Sequence, residues 1–381
     1  MSNIVTFYSY KGGVGRSMAL ANVATVLSLW GFKTLVIDFD FEAPGLQYFF
    51  KEQIKDFDKI GNKKGILNLL NRDNLMEKID WQELVIPLNL NSLLPSNDYI
   101  GISLDLIISG NKGEKEYIEE LKKFNASDFY QNRNGSIVIE RLREEWKLAY
   151  DFILIDSRTG VTDIGGICTI QMPDILVTLF TATEQGWIGT KDVIEKAVKN
   201  HNNLPFVRER LKILPIPTRI DGSEKEKTDE WLELFSKELT PVVGTWMHKE
   251  VSMLDFIKNV YIPYIPYYSF GEHLAVIDDI RNPKGIGYSM LNISSLLSKN
   301  LQNSFLFLNS RDEYIKSSEK DGYTSLIERV PSIEKMDISN LNINNLNFLS
   351  KYINLTQIDL SNNSISDLSV LSNLTNRVVA T

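Results

Sequence analysis

The sequence predicts an α/β fold of three layers, a mostly parallel sheet covered by helices, followed by a short segment of a different, repetitive kind. Three observations predict it. Apolar runs of strand length alternate with stretches of helical period across residues 1–308. Those runs are continuous, as strands buried on both faces require. Beyond residue 325 the alternation gives way to an Asn/Leu-rich pattern that repeats.

The elements follow in order. NIVTFYS (3–9) reads as a strand, and SMALANVATVLSLWG (17–31) has helical spacing with a glycine stop at Gly31. KTLVIDF (33–39) is a second buried strand. Further strand candidates are SLLPS (92–96), FILIDS (152–157), ILVTLFTA (175–182) and LKILPIP (211–217). GSIVIERLREEWKLAY (135–150) and GTKDVIEKAVKNHNN (189–203) carry helical spacing between them. This order builds βαβ units, whose ligands sit at the carboxyl ends of the strands. GTWMHKEVSMLDF (244–256) reads as a surface-loop insertion. MLNISSLLSKNLQNSFLFL (290–308), nearly uncharged, is expected to pack on the sheet.

In the tail, Met336-Asp337-Ile338-Ser339-Asn340 recurs as Ile358-Asp359-Leu360-Ser361-Asn362, an offset of 22. Apolar residues at fixed places and an asparagine after the strand match a leucine-rich repeat. The asparagine satisfies backbone groups at the turn while leucine and isoleucine fill a stacked core. Residues 309–324 are the expected linker and 325–381 the repeats. Two repeats are fewer than an array needs, so completion beyond NRVVAT or by another chain is expected.

Composition narrows the function classes. The 381 residues are 43% hydrophobic and 24% charged, enough for a sizeable core. With 41 basic and 49 acidic residues the net charge is −8, which disfavours a surface built to neutralise nucleic-acid phosphates. Lys196, Lys199, Arg208, Arg210 and Lys212 are scattered and read as a solvated face. The single cysteine, Cys168, offers no disulfide and fits a cytoplasmic protein. His201, His248 and His273 lack metal-ligand spacing.

YKGGVGRS (10–17) follows the first strand. The common phosphate loop is Gly, four residues, then Gly-Lys-Ser/Thr; here Tyr10 replaces the first glycine and Arg16 the lysine. Gly12, Gly13 and Gly15 let backbone N–H groups converge on an anion ahead of a helix N-terminus. Ser17, the first hydroxyl of that helix, is placed to ligate Mg²⁺. Asp38 and Asp40 end one apolar run and Asp156 another, with Gly160 four residues beyond. A carboxylate at a buried strand end needs a cation or donors. Any one of these aspartates could be a helix cap or turn residue; together, behind such a loop, they point to a nucleotide site.

KGGVGRS, VIDFD and YDFILIDSRTG, in that order, resemble the deviant Walker-A ATPases of the ParA/MinD family, in a subgroup with arginine for the loop lysine. The resemblance spans roughly residues 1–300 and implies a three-layer P-loop NTPase that binds ATP and Mg²⁺. It implies that Lys11 is the signature lysine reaching a partner's phosphates across a homodimer. Gly12, Gly13, Val14, Gly15, Arg16, Ser17 and Met18 would cradle the nucleotide, and Gly160 would sense its γ-phosphate. Asp40 would orient the attacking water, Asp38 would support the metal site, and Asp156 would act on Mg²⁺ through water. Thr218 and Arg219 would contact the base, with Pro263 or Pro266 of YIPYIPYYSFGE against it.

Arg16 is the departure. A planar fork cannot occupy the slot of a thin ammonium stem, although it can still bind phosphate. The expectation is ATP binding with slow turnover, coupled to dimerisation and to partner sensing by the repeats, as in signalling or defence. The alternative is a nucleotide-gated scaffold with little hydrolysis. DNA partitioning would want a basic surface and a membrane-targeting helix would be basic and amphipathic; neither is evident. A bacterial tyrosine autokinase would end in a tyrosine-rich tail, which is absent.

Overall fold

The computed structural model describes residues 2–73, 75–76, 79–90, 103–110, 115–160, 166–279, 282, 284–307, 335–337, 346, 355–373 and 379–380. Eight strands form one sheet: β1 (Asn3–Ser9), β2 (Thr34–Asp38), β3 (Ile86–Leu88), β4 (Leu104–Ile107), β5 (Phe152–Asp156), β6 (Ile175–Thr181), β7 (Lys212–Ile220) and β8 (Ile262–Pro263). Their order is β3-β4-β2-β5-β1-β6-β7-β8, parallel throughout except for β3 against β4.

Both faces of the sheet are covered, which is why its strands read as unbroken apolar runs. Side chains alternate along a strand. Val5, Phe7, Val36 and Leu154 face Leu20, Ala24 and Leu27 of the helix Arg16–Leu29. Ile4, Leu35, Ile37 and Ile153 face Val138, Leu142 and Trp146 of the helix Gly135–Ala149. From β1 the chain runs to β2 on one side, and from β5 to β6 on the other. The ends of these strands therefore frame the crevice where an open α/β sheet takes its ligand.

The helix Arg16–Leu29 stops at Trp30, and Gly31 takes the left-handed backbone (φ 87°) expected of a helix stop. The helix Glu184–His201 begins earlier than its apolar period suggests, because Thr183 caps it by accepting the Gly186 N–H. The surface loop expected at 244–256 is different in the structure. It ends in a helix, Met253–Val260, which buries Met253, Phe256, Ile257 and Val260. That spacing marks one face of a helix. The helix Ile286–Ser298 packs mainly on the helix Arg16–Leu29, and also meets 253–260 and β8. It forms a layer outside the first helix and reaches the sheet at its edge strand β8. The strand expected at 92–96 and the linker expected at 309–324 lie outside the described residues.

In the tail, β9 (Lys335–Asp337), β10 (Gln357–Asp359) and β11 (Val379–Ala380) form a small parallel sheet. Gln357 pairs with Lys335 on one side and Val379 on the other, so each step is the 22-residue offset. Ile358 is fully buried, and Asn363 Nδ2 donates to the Leu360 carbonyl just after β10. Among the described residues no helix is long and apolar enough to cross a membrane.

Candidate functional site

The loop after β1 turns into the first helix through two left-handed glycines, Gly13 (φ 71°) and Gly15 (φ 86°). At Gly15 a Cβ would also come within 3.3 Å of the Met18 methyl. A side chain at either position would be strained, so the bend depends on glycine. The loop borders a cavity of about 640 Å³ over the carboxyl ends of the strands. Gly12 through Met18, Asp40, Arg219 and Pro263 line it, together with Phe49, Tyr264 and Tyr268.

Beneath the cavity floor lies a buried ionic cluster. Arg16, only 7% exposed, donates from Nε to Asp156 Oδ1 (2.5 Å) and from Nη2 to Asp40 Oδ2 (3.0 Å). Ser17 Oγ donates to the other Asp156 oxygen at 2.5 Å. Burial works against the Arg16 charge, but Asp156 and Asp40 outweigh it and hold the guanidinium protonated. Asp38 is fully buried; its oxygens accept the backbone N–H groups of Asp40, Gly45 and Leu46. Burial and neighbouring Asp156 push it up to about 7, against those three amides. Burial likewise raises Asp156, opposed by Arg16.

Residues 5–254, more than half of the chain, match the CobQ/CobB/MinD/ParA nucleotide binding domain. The chain belongs to that family. Among solved structures it is similar to a plasmid partition protein from Borrelia burgdorferi, with 20% identity over 78% of this chain and 99% of that one, TM-score 0.48. It is also similar to the septum site-determining protein MinD of Pyrococcus horikoshii, complexed with Mg-ADP: 14% identity, 80% and 99% covered, TM-score 0.48. A third is the MinC:MinD cell division complex of Aquifex aeolicus: 18% identity, 78% and 96% covered, TM-score 0.45. No curated protein matches the chain.

The predicted residues of this nucleotide-binding family member separate into groups. Those of the loop, with Asp40, Arg219 and Pro263, gather around one cavity. Asp156 lies behind Arg16 and Ser17. Thr218 and Pro266 are not among the residues lining the cavity: Thr218 is buried, its hydroxyl donating to the Phe180 carbonyl, and Pro266 opens a short 3-10 turn. Gly160 borders a neighbouring cavity, its carbonyl accepting from Tyr8 Oη at 3.3 Å. Lys11 is half-buried beside the loop and makes no ion pair among the described residues.

Arg219 takes an uncommon left-handed backbone (φ 55°), lies over the Tyr264 ring, and donates from Nη1 to the Gly13 carbonyl at 2.8 Å. It therefore clamps the glycine loop. The sequence reading missed Tyr264 as its platform, although the residue stands next to Pro263. It also missed Arg158, which follows the Asp156 strand and pairs with Glu42 at 2.5 Å, bridging the β5 and β2 loops.

Of the three predicted Mg²⁺ ligands, Ser17 fits: it borders the cavity and its oxygen keeps accepting capacity. Asp38 is fully buried and outside the cavity lining, its oxygens accepting three amides, so it does not fit as a direct ligand; Asp156, expected to act through water, accepts Arg16 on one oxygen and Ser17 on the other. A larger cavity, about 980 Å³, lies between the helices Glu184–His201 and Lys225–Val243. Its rim mixes Lys199 and Lys237 with Glu195 and Glu209, and it gathers none of the predicted site residues. Two of the scattered basic residues are neutralised locally, Arg208 by Glu140 and Lys212 by Glu209.

Proposed function

We propose that this chain is an ATP-binding switch whose loop, Gly12 to Met18, cradles the phosphates while Arg219 and Pro263 flank the nucleotide. The observation that carries this reading is the convergence of a glycine loop, a helix N-terminus and Arg16 on one cavity. Ser17 is the predicted ligand free to meet a Mg²⁺ that arrives with the nucleotide. Lys11, beside the loop and outside the cavity lining, is free to serve a second copy, so two ATP-loaded protomers would form a homodimer. The tail, with parallel strands at 22-residue steps, supports reading 325–381 as leucine-rich repeats that contact a protein partner, and the tail strands favour 1–308 as the nucleotide unit.

Turnover is slow in this reading. Asp40, the carboxylate proposed to orient water, is committed to Arg16 and to the Ala43 N–H. Displacing a reacting group slightly costs about a hundredfold in rate. That commitment also favours a second reading, a nucleotide-gated scaffold without hydrolysis. Single-turnover measurements with ATP on wild type and Asp40→Ala decide between them. A rate lost in the variant assigns Asp40 to hydrolysis, and equal rates remove it.

A further inference from the structure

We propose that the Arg16 guanidinium is the resident cation of this site, holding Asp156 and Asp40 where a divalent metal would otherwise neutralise them, so that nucleotide binding hardly depends on Mg²⁺. This rests on the nucleotide-site reading above and adds a metal requirement, or its absence, to it.

Three distant segments meet at the cluster. Arg16 opens the first helix, Asp156 ends β5, and Asp40 follows β2. Adjacent strands bring the three together, and the planar fork spends two of its nitrogens on them, Nε on Asp156 and Nη2 on Asp40. Every carboxylate oxygen of the cluster has a donor. Asp156 takes Arg16 and Ser17, Asp40 takes Arg16 and the Ala43 amide, and Asp38 takes three backbone amides. A metal drawing directly on Asp156 would compete with the Arg16 ion pair at Oδ1 or with the Ser17 hydroxyl at Oδ2, and losing the ion pair would leave a charge unpaired in a desolvated place. Among the described residues no group of three His, Cys, Asp or Glu side chains is arranged to hold a metal.

One nitrogen is left over. Arg16 Nη1 is buried and has no hydrogen-bond partner, in a residue that borders the cavity. An orphaned buried donor is costly, and an anion arriving at the loop would satisfy it. Arg16 would thus offset one unit of the carboxylate charge behind the phosphates and offer its remaining N–H donors to the phosphates themselves, two tasks that otherwise call for a metal. Lysine at this position, a compact ammonium on a flexible stem, would not hold both carboxylates in the fixed geometry of the planar fork. The variant Arg16→Lys would therefore leave carboxylate charge facing the phosphates, to be offset by Mg²⁺.

The test is a titration of the full chain with a fluorescent ATP analogue, once in excess Mg²⁺ and once in EDTA. For wild type the two dissociation constants should agree within about threefold, and for Arg16→Lys binding should weaken by about tenfold or more in EDTA. A wild-type loss of about tenfold on chelation overturns the inference, as does an Arg16→Lys protein equally indifferent to the metal. A second measurement needs no variant: calorimetry of Mg²⁺ into nucleotide-free wild type should show no binding, and a saturable isotherm would overturn the proposal. Absence of analogue binding by wild type in both buffers is a different outcome, which removes the nucleotide-site reading and this inference with it.

Discussion

Tyr10, which stands where a glycine opens the common phosphate loop, lies against the helix Glu184–His201. A Cβ on Gly189 would come within 2.3 to 2.5 Å of the Tyr10 ring. The ring is therefore a spacer between loop and helix, and Gly189 is its receptor. Gly189→Ala should destabilise the protein by about 1–3 kcal/mol through overpacking. In a Tyr10→Ala background the same change should be neutral or stabilising by up to about 1 kcal/mol, since alanine is the better helix former. A double-mutant cycle by urea denaturation measures the reversal.

Asp174 offers a pH-dependent counterpart. It accepts the Ile4 N–H (2.8 Å) and pairs with Arg143 (2.8 Å) and Lys147 (2.9 Å), tying β1 to the helix Gly135–Ala149. Burial pushes its carboxyl up, but Arg143, Lys147 and that amide outweigh burial and hold it below the usual carboxylate range. A carboxyl depressed in the folded state contributes stability that is complete above its unfolded value of about 3.9 and is lost as pH falls through the folded value. Asp174→Asn should cost about 1–3 kcal/mol near neutral pH by leaving buried Arg143 with only its longer Glu140 pair at 3.4 Å, and should flatten the loss of stability below about pH 4. Denaturation curves at pH 7 and pH 3.5 test both parts.

At the scale of elements, local pattern and local capping agree for most of the sheet and for the first helix. The exception is instructive. Met253–Val260 follows tryptophan, histidine and charged residues that suggest a loop, yet its four buried apolar side chains share one face. Ser252 fixes its start, accepting the Asp255 N–H at 3.1 Å and donating to the Asp255 carboxylate at 2.5 Å. Ser252→Ala should lower stability by about 1 kcal/mol, whereas Phe256→Ala, which empties a fully buried site, should cost about 3–5 kcal/mol. Thermal melts of the two variants should rank in that order. A reversed ranking would mean that the helix is held by its cap more than by its packing.

For the whole molecule, the proposed switch makes assembly the readout. Size-exclusion chromatography with light scattering should give a dimer with ATP and a monomer with ADP or no nucleotide. Lys11→Ala should abolish the dimer while keeping nucleotide affinity within about threefold, because Lys11 stands outside the cavity lining. A monomer in all three conditions for wild type would remove the switch model.

What the sequence determined by itself is the part set by short-range pattern. Continuous apolar runs marked β1, β2, β5, β6 and β7, though not the short strands β3, β4 and β8; the turn requirement of Gly13 and Gly15 marked the loop, and carboxylates at strand ends marked the crevice. The 22-residue recurrence in the tail already contained the step between its parallel strands. What only the tertiary structure decided is how distant residues pair. Arg16 meets Asp156 across 140 positions because β5 lies between β2 and β1, and nothing local specifies that order. Thr218 and Arg219 adjoin in sequence and look equally available. Only the placement of β7 beside β6 buries Thr218, while the left-handed turn at Arg219 swings its side chain to the phosphate loop. Charges separated by more than a hundred residues are matched by sheet order, so the sequence could name the charged residues but not which of them neutralise one another.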